Sequence, residues 1–508
     1  MMKYHRSFLF VSLLLGLSPS ASASNSDSHR RLQQQLQHDN VRRSSSILSL
    51  RAGGGMNKPL PKSAVKKQGR TTPTKKKMAP QKSKTQPKKA SVVTSVFNLA
   101  NNVAGAGILT LAAGKATGTG WIPSIGICVV LALVSSHTFT LIGKACEWTD
   151  QTTFKGLWTD AFGASTAWIV DSMVFCQCFF VSIIYTGLLG DIFSALLQGN
   201  AWIPSAYTTR TSIIVLAATC ILWPLNQIRD LSALGFTSIL GLVAVLYTVG
   251  LFVVRSLDGT YSLPTATTTA GKFLLDVSLQ PDFTKSTWWN FDFSSLVLVS
   301  NLGLAFMSHY NGPTYWRSLE DATAQRFQKV SLSAYTILAM IYVTTMVAGY
   351  ATFGDVCQGN ILLNYAPSDI LSTLGRLATG LSIIFGFPLI SNGAREGLKN
   401  ASSALGVNFI SNPKHHVALV TCLLVITTSL AIVLKDIALI AGMTGALMGS
   451  SLVYICPTLI YSKIVQQTYG AGSVQDKVAR RNLLLIPFGC FTAIMGVTMT
   501  LKNTVLAK

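Results

Sequence analysis

Charge is scarce in this sequence. Only 12% of its 508 residues are Asp, Glu, Lys or Arg, about half the share of an ordinary soluble domain. Acidic residues are the scarcest, 19 in all. The first 90 residues hold two of them, Asp27 and Asp39, against 19 Lys and Arg. The net charge of +22 therefore divides into +17 on that segment and +5 on the remaining 418 residues. A basic tail before a nearly neutral body excludes a globular nucleic-acid-binding domain. The clusters Lys66-Lys67, Lys75–Lys77 and Lys88-Lys89 have no aromatic residues between them on which bases could stack, so no nucleic-acid partner is expected. Cysteine supplies no framework either. The nine are an odd number, and Cys128, Cys176, Cys178, Cys220, Cys422, Cys456 and Cys490 lie inside apolar runs, where cysteine packs as a small hydrophobe. Cys357 has no cysteine in segment 255–292 to pair with. Cys176 and Cys178 form C-x-C without a second pair or a His at ligand spacing, which excludes a four-ligand zinc site. A soluble enzyme, a disulfide scaffold and a metal or organic cofactor are all unsupported.

Long apolar runs dominate instead. Hydrophobic residues make up 49% of the chain, and its mean hydropathy is +0.43. A bilayer-spanning helix needs roughly 20 mostly apolar residues. Eleven stretches meet this: 93–115, 120–143, 166–197, 209–227, 231–254, 293–312, 330–354, 370–390, 416–434, 436–462 and 482–501. Their length makes them helices, since barrel strands alternate apolar and polar over about ten residues. The third is long and must tilt or end before Gly190-Asp191. The predicted inner loops carry 13 Lys and Arg and the outer segments eight. With the basic tail, this places the N-terminus inside and the C-terminus outside. The N-x-[ST] sequon at Asn400 then lies inside, where it cannot be glycosylated.

Three regions follow. Residues 1–24 have a basic start, the apolar run Phe8–Leu17 and Ala21-Ser22-Ala23 as a cleavage site, a signal-like leader. Residues 25–90 are rich in Ser and Lys, either a transit-like segment or a disordered cytosolic arm. A bipartite signal-plus-transit leader would reconcile a translocated leader with the positive-inside rule. Residues 91–508 form the polytopic domain.

Function in membrane helices concentrates at their irregularities. The first span contains Asn98, Asn101 and Asn102, then Gly105-Ala106-Gly107. Glycine weakens a helix by about 1 kcal/mol against alanine, and a helix broken at membrane depth is tolerated only where it lines a cavity or is buried in protein. Close helix packing by the glycines is the alternative. The sixth span ends in Ser308-His309-Tyr310-Asn311-Gly312-Pro313, a second interruption five spans after the first. Paired broken helices in two halves of a chain point to a transporter binding site. Taken alone, His309 reads as a satisfied interfacial histidine. The other intramembrane ionisable residues, His137, Asp171, Asp191 and Arg376, lie near span ends. Gly442, Gly445 and Gly449 read as a packing face.

The stretch Ser95–Leu109, SVFNLANNVAGAGIL, resembles the first-helix motif of the amino acid/auxin permease family, and most of all its sodium-coupled neutral amino-acid transporter branch. The likeness continues in order through Tyr185 with Gly190-Asp191, and Ser308-His309-Tyr310-Asn311, which is similar to C-H-H-N. It goes on through Ser318-Leu319-Glu320, Gly349–Gly354, Asn360–Tyr365 and Phe387-Pro388-Leu389 with Arg395, covering residues 91–460. The resemblance implies an all-α membrane protein of about eleven helices, laid out like the bacterial leucine transporter with two inverted five-helix repeats plus one helix. It implies secondary active transport of amino acids, small or neutral ones because no charge sits at either break. Substrate would bind at Asn101, Gly105, Ala106, Gly107, Ser308, His309 and Asn311. Where sodium-coupled relatives place a threonine in helix eight, this chain has Ile384 and Gly386. Thr379 and Ser382 are the nearest hydroxyls, so Asn101, Thr379 and Ser382 are the coupling-ion candidates, for H+ or Na+. The other reading is a non-transporting amino-acid sensor with the basic tail as a partner-binding arm. The expected partners are the amino-acid substrate and the lipid bilayer, with the oligomeric state open. The membrane would be the plasma membrane, an endomembrane or vacuolar one, or a plastid envelope.

Overall fold

A computed structural model describes residues 89–506, except 199–201, 228–236, 264–270, 274, 405 and 408–412. The leader 1–24, and the tail 25–90 apart from its last two residues, lie outside the described residues.

The described residues are helical, with two isolated β-bridges (Ala90 with Leu319, Asp282 with Gly354) and no strand among them. Helices follow from the apolar runs because only a helix satisfies every backbone group within its own segment in lipid. Besides the short helices Phe154–Phe162 and Val474–Arg481, they are in chain order α1 (Val92–Val103) and α2 (Leu111–Ala116), α3 (Trp121–Thr149) and α4 (Ala167–Leu197). After α5 (Arg210–Asn226) and α6 (Thr237–Leu257) come α7 (Ser295–Ala305) and α8 (Gly312–Ser318). The rest are α9 (Ala324–Phe353), α10 (Ile370–Ala404), α11 (His416–Val433), α12 (Ile437–Tyr469) and α13 (Leu485–Leu506). Side-chain caps start several of them: Ser91 accepts from Thr94 N–H, Thr209 from Ser212, Thr323 from Arg326 and Asp436 from Leu439.

Each of the eleven predicted stretches holds a helix, but not each is an unbroken span. Among the described residues, eight helices are long and apolar enough to cross a bilayer, and α1 with α2 makes a ninth as a pair bent by 53°. The helix α5 covers 17 residues, about 26 Å at 1.5 Å per residue. Five of them, Ala218–Leu222, are a π-helical turn, followed by Pro224. The sixth stretch is split between α7 and α8. The helix α4 does not end at Gly190-Asp191 but runs on to Leu197. Arg210 of α5 ion-pairs with Asp191 at 2.6 Å and donates to the Ala431 carbonyl of α11, which removes the reason to end the helix there.

The other intramembrane ionisable residues are likewise partnered. Asp171 meets Lys155 at 2.7 Å, His137 meets Asn482 at 2.7 Å, and Arg376 donates to the carbonyls of Leu362 and Tyr365. Arg255 of α6 makes two bonds to Asp369 before α10, 2.9 and 2.6 Å, and Tyr261 adds a third at 2.9 Å. The glycines of α12 do pack closely. A Cβ on Gly445 would overlap the Ser300 carbonyl of α7, and one on Gly449 would lie 3.0 Å from the backbone of Gly303. This presses α12, which is π-helical over Gly445–Ile455, onto the broken sixth stretch. All nine cysteines are free.

Candidate functional site

The chain leaves helical geometry in the two predicted places. At the end of α1, Ala104 (φ −71°, ψ 62°) forms a tight turn in which Gly105 N–H donates to the Val103 carbonyl at 2.7 Å. Gly105 is extended, and a 3₁₀ turn over Ala106–Thr110 leads into α2. The first N–H groups of a helical segment have no partner within it, and here those belong to Ala106 and Gly107. At the end of α7, Phe306, Met307 and Ser308 depart from the helix. A 3₁₀ turn over His309–Asn311 follows, and Pro313 opens α8, where its missing N–H costs no hydrogen bond.

The two breaks touch. A Cβ on Gly107 would stand 3.2 Å from Ala305 Cα and 3.4 Å from its Cβ, so glycine is what lets these backbones approach. The hydroxyl of Tyr342, a buried residue of α9, shares its proton between the carbonyls of Val103 (3.0 Å) and Ala305 (2.7 Å), the last residues of α1 and α7. One side chain thus ties both helix ends. Those ends carry the negative poles of α1 and α7, while the starts of the Ala106 turn and α8 carry positive poles.

A cavity of about 70 Å³ lies at the junction, lined by Gly105, Gly107 and Ala305 of the breaks, by Met307 and Tyr310, and by Gln177, Val181 and Tyr185 of α4. No charged residue lines it. A smaller cavity of about 30 Å³ on the other side of Gly105 is lined by Thr248 of α6 and by Thr379 and Ser382 of α10. Thr248 and Thr379 hydroxyls are 3.1 Å apart. Asn101 Oδ1 and Ser382 Oγ each lie 3.3 Å from the point a Cβ on Gly241 would occupy. Gly105 and Tyr185 line both cavities.

The predicted residues therefore divide. Gly105 and Gly107 face the larger cavity with Ala106 between them. Asn101, Thr379 and Ser382 gather against α6, around Gly241 and Thr248. Ser308, His309 and Asn311 are at the second break but do not line either cavity. Ser308 Oγ lies 3.4 Å from the Tyr335 hydroxyl, which donates to the Phe306 carbonyl. The fully buried His309 places Nε2 3.0 Å from Thr138 Oγ1 and 3.1 Å from the Ser135 carbonyl of α3. Asn311 is the residue before α8. Met307 and Tyr310 line the cavity, while His309 turns back toward α3. Ile384 and Gly386 supply no hydroxyl, as their side chains dictate. Sequence reasoning missed Tyr342, Thr248, Gly241 and Gln177. Only Gln177 left a signal, as the one side-chain amide in α4.

The profile of the family described as "Transmembrane amino acid transporter protein" matches residues 88–502. The chain is 23% identical over 421 residues to "Putative sodium-coupled neutral amino acid transporter 11" of Rattus norvegicus, covering 82% of this chain and 86% of that one. It is 24% identical over 427 residues to "Sodium-coupled neutral amino acid symporter 2" of Danio rerio, covering 81% and 82%. Among solved structures, that of MhsT in complex with L-phenylalanine aligns with a TM-score of 0.49 at 14% identity, over 82% of this chain and all of that one. The inward-facing conformation of Mhp1 aligns with a TM-score of 0.49 at 13% identity, over 82% and 92%. With two helix breaks in contact inside a bundle of apolar helices, and a family profile spanning that whole bundle, the chain belongs to the transmembrane amino acid transporter family and is an integral multi-pass membrane protein.

Proposed function

We propose that the protein is a secondary active transporter of small neutral amino acids, driven by a sodium or proton gradient through alternating access. One observation carries the reading: the breaks of α1–α2 and α7–α8 meet at Gly107 and Ala305 beside an uncharged cavity. The backbone N–H groups of Ala106 and Gly107 suit a substrate carboxylate, and the carbonyl ends of α1 and α7 suit an ammonium group. The uncharged lining favours side chains without charge. The cavity is small, about 70 Å³. That matches an amino acid with a short side chain. The ion contributes by binding one state better than the other, and the oxygens of Asn101, Thr248, Thr379 and Ser382 are the groups we assign to it.

The test is uptake of a panel of labelled amino acids into proteoliposomes, with sodium and pH gradients imposed separately. Saturable accumulation under one gradient is the expected result. Specific binding without accumulation under either gradient would replace the transporter by a sensor on the same fold.

A further inference from the structure

Beside the face of α9 that carries Tyr342 runs a groove whose other wall is α3. It encloses about 580 Å³. Its exposed rims are Ile125 and Val129 on α3 and Leu332 and Met340 on α9, and the short side chains of Ala132 and Ala339 make it deep. No charged residue lines it. Both walls are helices long and apolar enough to span a bilayer, so the groove opens on lipid. Hydrophobicity selects nothing there, because lipid tails are as apolar as leucine. An occupant is chosen by its shape and by what its polar end meets.

One end of the groove is marked by charge. A Cβ on Gly143 of α3 would overlap the Phe327 ring of α9, which sets Lys144 level with Arg326 and Lys329. These basic residues place the membrane boundary on the side predicted to be inner. Leu332 and Ser136 lie just inside it, where the Ser136 and Ser331 hydroxyls, 3.1 Å apart, tie the two helices together. From Leu332 to Thr344 the groove runs about 18 Å, against about 15 Å for half of a hydrocarbon core. It therefore has the length of one leaflet. Lys329 continues the groove face of α9, three residues before Leu332 and seven before Thr336. It is exposed and has no partner among the described residues, and Gln325 and Gln328 beside it are exposed and unpartnered as well. Glu147, the carboxylate of α3, is engaged by the Ala324 N–H at 3.0 Å.

We infer that the groove holds one acyl chain of an anionic phospholipid from that leaflet, with its phosphate on Lys329. A basic side chain at the cytoplasmic end of a cleft between spans is suited to such a headgroup. A zwitterionic lipid carries its own cation beside the phosphate and gains less from Lys329. A sterol brings only a hydroxyl to the end where the groove presents a cation. The bound chain bears on Tyr335, which lines the groove and donates to the Phe306 carbonyl of the second break at 3.2 Å. The lipid thus supports the helix that holds both breaks, whichever solute they carry.

The test uses the purified full chain in nanodiscs, with phosphatidylglycerol carrying a diazirine at the end of one acyl chain. Photolysis should label the far end of the groove, around Ile125 and Thr344. Unlabelled phosphatidylglycerol should displace the label about fivefold better than phosphatidylcholine, the effect of one lysine at a membrane surface. Lys329→Ala should remove that preference and Lys329→Arg should keep it. Ala339→Phe, which fills the groove, should abolish labelling there in a protein that still melts cooperatively. Equal displacement by the two phospholipids in wild type overturns the inference, since bulk lipid then fills the groove, and this result needs no variant to fold. A preference that survives Lys329→Ala overturns it too, as do displacement by cholesterol alone and cross-links between two copies at the groove.

Discussion

Replacing Gly107 with alanine inserts a methyl group into the contact between the two broken helices. It would stand 3.2 Å from Ala305 Cα and 3.4 Å from its Cβ, inside the ordinary carbon–carbon separation of about 3.5–4.0 Å. Overpacking of this kind costs about 1–3 kcal/mol. The exchange of glycine for alanine in helical backbone returns about 0.5–1 kcal/mol. The net loss of stability is therefore about 2.5 kcal/mol at most, a fall in Tm of a few degrees, and the protein remains folded. Leucine at 107 adds three further carbons with the same backbone in the way, so the breaks must separate. Uptake per inserted molecule, with melting followed by size-exclusion chromatography, distinguishes folding from transport. Gly107→Ala should transport at a reduced rate and Gly107→Leu not at all, both still entering vesicles. Ala305→Gly removes the carbon at 3.4 Å and should recover part of the rate lost in Gly107→Ala, a coupling that a double-mutant cycle measures. Wild-type uptake by Gly107→Leu would refute the assignment of the site.

Tyr342→Phe deletes the hydroxyl shared by the Val103 and Ala305 carbonyls. Leaving a buried acceptor without its donor should cost about 1–3 kcal/mol, read as a lower Tm, together with slower uptake. Asp369→Asn should cost about 1.5–3 kcal/mol, because it removes one of the two carboxylates on the Arg255 guanidinium and leaves Asp258 at 2.6 Å as the other. Burial by itself raises the Asp369 carboxyl, but hydrogen bonds from Arg255 and Tyr261 outweigh it and hold the group below its ordinary value, about 3.9. Its stabilisation is thus full above about pH 4 and is lost as pH falls through the depressed value. The melting difference between wild type and Asp369→Asn should shrink only at that acid extreme; a gap that closes near pH 6 would contradict the sign. Ser382→Ala with Thr379→Val should weaken the response of uptake to the driving ion by tenfold or more while alanine binding at saturating ion survives. An unchanged ion dependence would move the ion elsewhere.

The helices were legible because apolar run length is a strong local signal, and both breaks were legible because asparagine, glycine, histidine and proline interrupt those runs. What the runs could not show was which side chains turn inward at a break. Ser308 and His309 are the polar residues of the second break, while Met307 and Tyr310 are the ones that line the cavity and His309 bonds toward α3. Tyr342 was invisible for the opposite reason. It sits in an otherwise ordinary apolar helix, and its role arises only when α9 packs beside two helix ends 239 and 37 residues distant in sequence. The stretch 166–197 was read to its end, and of its two alternatives the one that stopped before Gly190-Asp191 falls because Arg210, 19 residues later, folds back onto Asp191.

Under the proposed transport, the two cavities would couple an ion to an amino acid. Coupling requires that occupancy of one site change the free energy of the other, and here Gly105 and Tyr185 form a wall common to both. A residue without a side chain transmits a shift on one face to the other through its backbone. The chemistry of the smaller cavity also bears on which ion this is. Its lining holds hydroxyls of Thr248, Thr379 and Ser382 but no Asp, Glu, His or Lys. A proton needs a titratable group to carry it across neutral pH, whereas sodium needs only neutral oxygens and a space of the size of one water. At about 30 Å³ the cavity has that size. The resemblance expects a helix-eight threonine where this chain has Ile384 and Gly386, and the hydroxyls of α10 that line the cavity are Thr379 and Ser382 instead. Thr248 from α6 reaches it and bonds Thr379. If this cavity drives transport, sodium is the ion its lining can hold; proton-driven uptake would require a titratable residue outside it.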